Sequence, residues 1–128
     1  MSITPMLLLA IACGGALGAL ARFFTQHIAG NWFGLTFPWG TLAANILGCF
    51  IMGLLAGYWG SHDFNLSQEL RGFLVIGFLG AFTTFSAFSL DSLVLFQNGE
   101  HFKALFNVIG SLVLCLIAVY LGNLLTSR

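Results

Sequence analysis

The chain has 128 residues, of which 59% are hydrophobic and only 6% charged, and its formal net charge is zero. A soluble domain carries about 25% charged residues, and a chain this short would have to cover itself with polar surface that this sequence does not supply. The lack of net charge excludes nucleic acid or an acidic surface as an implied partner, and a polybasic membrane anchor as well, which leaves lipid as the matching solvent.

Residues Met1 to Met6 include no basic side chain, so a cleaved signal peptide is not expected. Four apolar spans follow in a single domain covering 1–128, at approximately 4–28, 38–59, 70–96 and 101–125. Each is near the ~20 residues a helix needs to cross ~30 Å of hydrocarbon. The first has its apolar run from Met6 to Phe24, with Arg22 as its only charge, and a polar, aromatic loop is expected from Gln26 to Gly34. The second, Trp39 to Trp59, holds no ionisable side chain except Tyr58, and its end tryptophans suit an interfacial aromatic belt. The loop from Gly60 to Arg71 carries Asp63, Glu69 and Arg71. None of the spans shows strand alternation, which excludes a barrel.

Four crossings put the N-terminus, the middle loop and the C-terminus on one side, with Arg71 and Arg128, and leave Arg22 and Lys103 on the other. The acids balance too, Asp63 and Glu69 against Asp91 and Glu100. An excess of Lys and Arg normally fixes orientation, and here there is none. The balance is either a by-product of so few charges or the mark of dual topology, with copies inserted both ways and pairing as an antiparallel dimer. Gly14 with Gly18, and Gly53 with Gly57, have the spacing that lets helix backbones approach closely. That spacing serves packing within one subunit or between two.

Catalytic chemistry is poorly supplied, and an enzyme is not expected. His27, His62 and His101 lie in predicted loops or at span ends without metal-ligand spacing, and no nucleophile–base arrangement or phosphate loop stands out. Cys13, Cys49 and Cys115, an odd count inside apolar runs, read as small apolar filler rather than a disulfide or metal site. The polar residues inside the spans are more informative, because in hydrocarbon they need partners or a cavity. Thr41 and Asn45 share one face of the second span, and Asn107, Ser111 and Cys115 share one face of the fourth. The third contains Gly77-Phe-Leu-Gly-Ala-Phe-Thr-Thr-Phe-Ser-Ala-Phe-Ser89, where a continuous helix is not expected. A broken helix at the midplane presents backbone groups to ions. A lining of hydroxyls, amide donors and the ring edges of Phe85 and Phe88, with no acid at depth, points toward an anion pathway.

These residues also carry a family pattern. Gly14-Gly-Ala-Leu-Gly-Ala-Leu-Ala-Arg22, Gly40-Thr-Leu-Ala-Ala-Asn-Ile-Leu-Gly48 and the third-span motif from Gly77 to Ser89 occur in order. In these motifs the chain resembles the Fluc (CrcB) fluoride channels. The resemblance implies an all-α integral membrane protein of four transmembrane helices, the third broken mid-membrane. It also implies an antiparallel dual-topology dimer of identical subunits in the cell inner membrane, passing fluoride passively through two pores. By motif position Asn45, Phe85 and Phe88 would line the pores, with Thr41, Ser86 and Ser111 on the polar lining. Arg22 and Asp91 would hold vestibule or structural positions. The backbone carbonyls of Gly80 and Thr83, with the same pair from the partner, would hold a structural sodium ion at the dimer centre. The fourth span departs from the pattern, since Asn107, Ser111 and Cys115 stand where a Tyr and two Ser are common. Two other readings remain: a small multidrug-type proton antiporter, which wants an acid deep in the first span, and a non-transporting scaffold subunit.

Overall fold

The structure, a computed structural model, describes residues 1–62 and 66–128; Asp63, assigned above to the middle loop, lies outside the described residues. Its helices are α1 (Pro5–Phe33), α2 (Trp39–Ser61), a half-span α3, α4 (Phe85–Gln97) and α5 (His101–Thr126). The half-span α3 joins a helical turn Gln68–Arg71, a π-helical stretch Gly72–Leu79 and a last turn Gly80–Phe82. With α3 and α4 counted as one span, four helical spans among the described residues are long and apolar enough to cross a membrane.

Local chemistry sets the boundaries. The Thr4 hydroxyl accepts from the Leu7 N–H and Pro5 occupies the first turn, so α1 starts with its free donors covered. It ends at Gly34, whose φ of 83° is a conformation that favours glycine. The loop expected from Gln26 to Gly34 is therefore mostly helix. Its polar side chains satisfy one another or a neighbour without breaking the backbone: Asn31 Nδ2 lies 3.2 Å from His27 Nε2, and Gln26 Nε2 donates to the Thr41 hydroxyl at 3.1 Å. Gly99, with φ 77°, makes the tight turn between α4 and α5.

Packing is carried by glycine more than by large side chains. Membrane helices gain little from hiding apolar surface from lipid, so close backbone approach has to hold them together. A Cβ added at Gly14 or Gly18 would overlap the carbonyl of Phe73 or Phe78 on α3. One added at Gly53, Gly57 or Gly122 would overlap the backbone across the α2–α5 seam. Both glycine pairs noted in the sequence thus serve packing inside one chain. Meanwhile Leu8, Leu9, Phe23, Leu116 and Leu125 are exposed, as a surface facing lipid would be. Ser2 N–H donates to Gln68 Oε1 at 3.0 Å, and Thr126 Oγ1 donates to the Leu54 carbonyl at 2.8 Å. These bonds gather both termini at the end of the bundle where α2 finishes and α3 begins, as four crossings require.

Candidate functional site

The third span breaks at Thr83 and Thr84, both extended, with ψ of 154° and 120°. Asn45 of α2 holds the break: its Oδ1 accepts from the Thr84 N–H at 2.7 Å and its Nδ2 donates to the Thr84 carbonyl at 3.0 Å. A regular helix would have spent that N–H on the carbonyl of Gly80. Three residues on, the Ala87 N–H goes to the Thr84 hydroxyl at 3.2 Å, capping α4 instead of reaching the Thr83 carbonyl. The carbonyls of Gly80 and Thr83 are thus freed from their helical donors, while the first N–H groups of α4 begin at the same break. Freed carbonyl oxygens are the ligand type a hard cation such as sodium accepts, so these two residues fit the sodium expectation.

Two grooves border the break, and a third adjoins one of them through Gln26. One, of about 270 Å³, is lined by Asn45, Phe85, Phe88, Ser111, Cys49 and Cys115 among others. Phe85 and Phe88 meet there with ring centroids 5.4 Å apart, and Phe85 is 76% exposed. Asn45 can still offer its second amide N–H, since a carboxamide has two. A second groove holds Arg22 and Ser86, with Gln26 and Thr84. A third holds Thr41 and Asp91, again with Gln26. The Asp91 Oδ2 is buried with no hydrogen-bond partner among the described residues. The predicted site residues are therefore split: Asn45, Phe85, Phe88 and Ser111 converge, whereas Ser86 with Arg22 and Thr41 with Asp91 occupy adjoining grooves.

Residues 9–123 match the family model described as CrcB-like protein, Camphor Resistance (CrcB). The chain belongs to the CrcB family. Similar curated proteins include one from Methylococcus capsulatus, 50% identical over 94% of this chain, and one from Magnetococcus marinus, 47% identical over 88%. A third, from Rhizobium etli, is 46% identical over 89% of the chain. All three are named fluoride-specific ion channel FluC. The chain spans 53% of the Methylococcus protein's length but 90% of each of the other two. Family membership and the four apolar spans together make this a multi-pass membrane protein.

Within this CrcB chain further residues contribute to the site. Thr84 carries the break through its backbone and caps α4 with its hydroxyl, which a motif of residue types cannot reveal. Gln26 joins two of the grooves but was placed in a loop; its spacing of four from Arg22 would have set both on one helix face. Ser92, unassigned before, accepts from Asn107 Nδ2 at 2.9 Å, so the 2%-exposed Asn107 is spent on joining α4 to α5.

Proposed function

We propose that the chain is a passive fluoride channel of the cell inner membrane rather than an enzyme, working as an antiparallel homodimer with two pores. The supporting observation is the Asn45-bound helix break opening onto a groove with phenyl edges and hydroxyls but no charge. The relatives' shared name narrows the anion to fluoride. In the groove the second N–H of Asn45, the Ser111 hydroxyl and the positive edges of Phe85 and Phe88 supply weak donors. The N-terminal N–H groups of α4, at Phe85 and Ser86, add more. Arg22, in the adjoining groove beside Ser86, raises the local concentration of anions without standing in the narrow part. An uncharged lining binds loosely enough for the ion to leave, as conduction requires. Hydrogen fluoride that enters neutral from an acidic medium dissociates inside, and the anion then runs out down its own gradient.

The dimer reading draws on outward-facing residues at the break. Most glycines of the third span abut α1, but a Cβ at Gly80 would meet nothing closer than the Val75 carbonyl, at 3.5 Å. Its smallness has no use inside the chain and suits approach by a second copy. The carbonyls of Gly80 and Thr83, paired with the same groups of that copy, would hold a sodium ion. When bound, the ion supplies positive charge to oxygens that have lost their helical donors.

The deciding experiment is fluoride release from liposomes holding only this protein, followed with a fluoride electrode while valinomycin supplies potassium permeability. Rapid electrogenic release with chloride retained is expected. No release from a well-folded sample would put the scaffold reading ahead. Tags at both termini, tested for accessibility in intact cells, should each be reached from both sides of the membrane; one fixed orientation would end the antiparallel homodimer.

A further inference from the structure

The groove wall contains two residues that anion passage does not need. Cys49 of α2 and Cys115 of α5 both line it, and neither is exposed enough to face bulk lipid nor fully buried. Their juxtaposition follows from the seam. Gly53 abuts Val119 and Gly57 abuts Asn123, and the same parallel register one turn earlier sets Cys49 beside Cys115. Glycine contacts bring the two backbones close along this seam, and both cysteines line the same groove. Among the described residues no cluster of three or more His, Cys, Asp or Glu side chains forms. That rules out the four-ligand geometry a structural zinc site wants and leaves a bare pair of sulfurs.

We infer that Cys49 and Cys115 form a two-thiol binding site for a soft d10 metal cation, set in the wall of this groove. Thiolate sulfur selects soft ions, and d10 ions such as copper(I), silver(I) and mercury(II) accept two sulfurs in near-linear coordination. With mercury(II) two S–H bonds release their protons and two S–Hg bonds form, with no electron transferred. The product is neutral, which suits a site set between apolar spans. Metal binding rests on the thiol geometry alone. Only its consequence for flux rests on the proposed function: a bridging atom beside Asn45, Phe85 and Ser111 narrows the groove and obstructs the anion.

The test uses the full-length protein and mercuric chloride as the probe. Intact-mass measurement should show one mercury per chain at low excess, with two thiols lost to maleimide labelling. That mercury should resist a monothiol wash and leave with a dithiol. The same result is expected for Cys13→Ser, whose site lies on α1, away from the pair. Cys49→Ser and Cys115→Ser should each lose monothiol-resistant mercury and need roughly a hundredfold more mercury for equal occupancy, the advantage of a second ligand held in place. Retention of monothiol-resistant mercury by both single variants would overturn the inference, as would loss of it in Cys13→Ser. Flux is then read separately in liposomes. Block of wild type and Cys13→Ser, relieved by dithiol, supports both the site and the pathway. Bridging without block supports the site and counts against this groove as the conducting route.

Discussion

Replacing Asn45 with Leu isolates what holds the third span open. The carboxamide makes two bonds to one residue's backbone, 2.7 Å from the Thr84 N–H and 3.0 Å to its carbonyl, and Thr84 is only 8% exposed. Leucine keeps the shape and removes both partners. Each buried backbone group left unpaired costs about 1–3 kcal/mol, so the pair costs roughly 2–6 kcal/mol. Lipid offers no replacement donor or acceptor, which favours the upper part of that range. Thr41→Val, one turn away, is the control. It loses a single bond to Gln26 Nε2, a half-buried side chain that can turn toward its groove, for about 1 kcal/mol. Both variants would be unfolded by rising sodium dodecyl sulfate in mixed micelles and followed by circular dichroism. If Asn45→Leu proved no less stable than Thr41→Val to within about 0.5 kcal/mol, the break would not depend on Asn45 and the account of the site would be wrong.

Other substitutions separate packing from conduction. Asn45→Asp places a carboxylate oxygen against the Thr84 carbonyl where the amide donates now. Fluoride release should fall steeply near neutral pH and recover in part on acidification, since a protonated carboxyl can donate as the amide did; unchanged release at neutral pH would remove Asn45 from the pathway. Phe85→Ile should cut release at least about tenfold, a loss of roughly 1.4 kcal/mol from the barrier. Because Phe85 is 76% exposed, it should barely change stability, and the opposite pattern in the same two assays would mark the ring as packing. Gly14→Ala drives a methyl group into the Phe73 carbonyl and should destabilise the chain by about 1–3 kcal/mol. Gly80→Ala has room and should leave the single chain folded while weakening the proposed dimer, read by light scattering in detergent; a dimer as stable as wild type would place the interface elsewhere.

Much of the architecture was legible because hydrocarbon imposes strict rules on sequence. Runs of about the right length marked the spans, and the third-span hydroxyls and glycines marked the break within a residue or two. The end of α1 is not legible in polarity, since the polar residues from Gln26 to Asn31 continue the helix. Helices stop for backbone reasons, and the residue that supplies one is Gly34, not Gln26. The π-helical stretch Gly72–Leu79 left no mark in hydropathy, since its side chains are as apolar as any helix interior. It is a property of the backbone where α3 presses on Gly14 and Gly18. Glycine spacing told that helices would touch, but not which ones, because a small-xxx-small pair looks the same from inside a subunit as from outside.

Asn45 shows how one side chain in an apolar span can hold a structural duty that residue type alone does not announce. As a carboxamide in an apolar span it needed partners, and an anion in a pore was one candidate. The structure gives two of its hydrogen bonds to Thr84 and leaves the second amide N–H for the groove. That use makes the site richer rather than poorer. A helix cut in mid-span has two ends of opposite polarity: α3 ends in carbonyl oxygens at Gly80 and Thr83, and α4 begins with N–H donors at Phe85 and Ser86. By binding the backbone between them, Asn45 keeps both ends from closing on each other. In the proposed channel the oxygens then face a cation at the dimer centre and the donors face the anion's groove. Substitution at this one position should therefore disturb sodium retention and fluoride flux together, whereas Phe85→Ile should disturb flux alone.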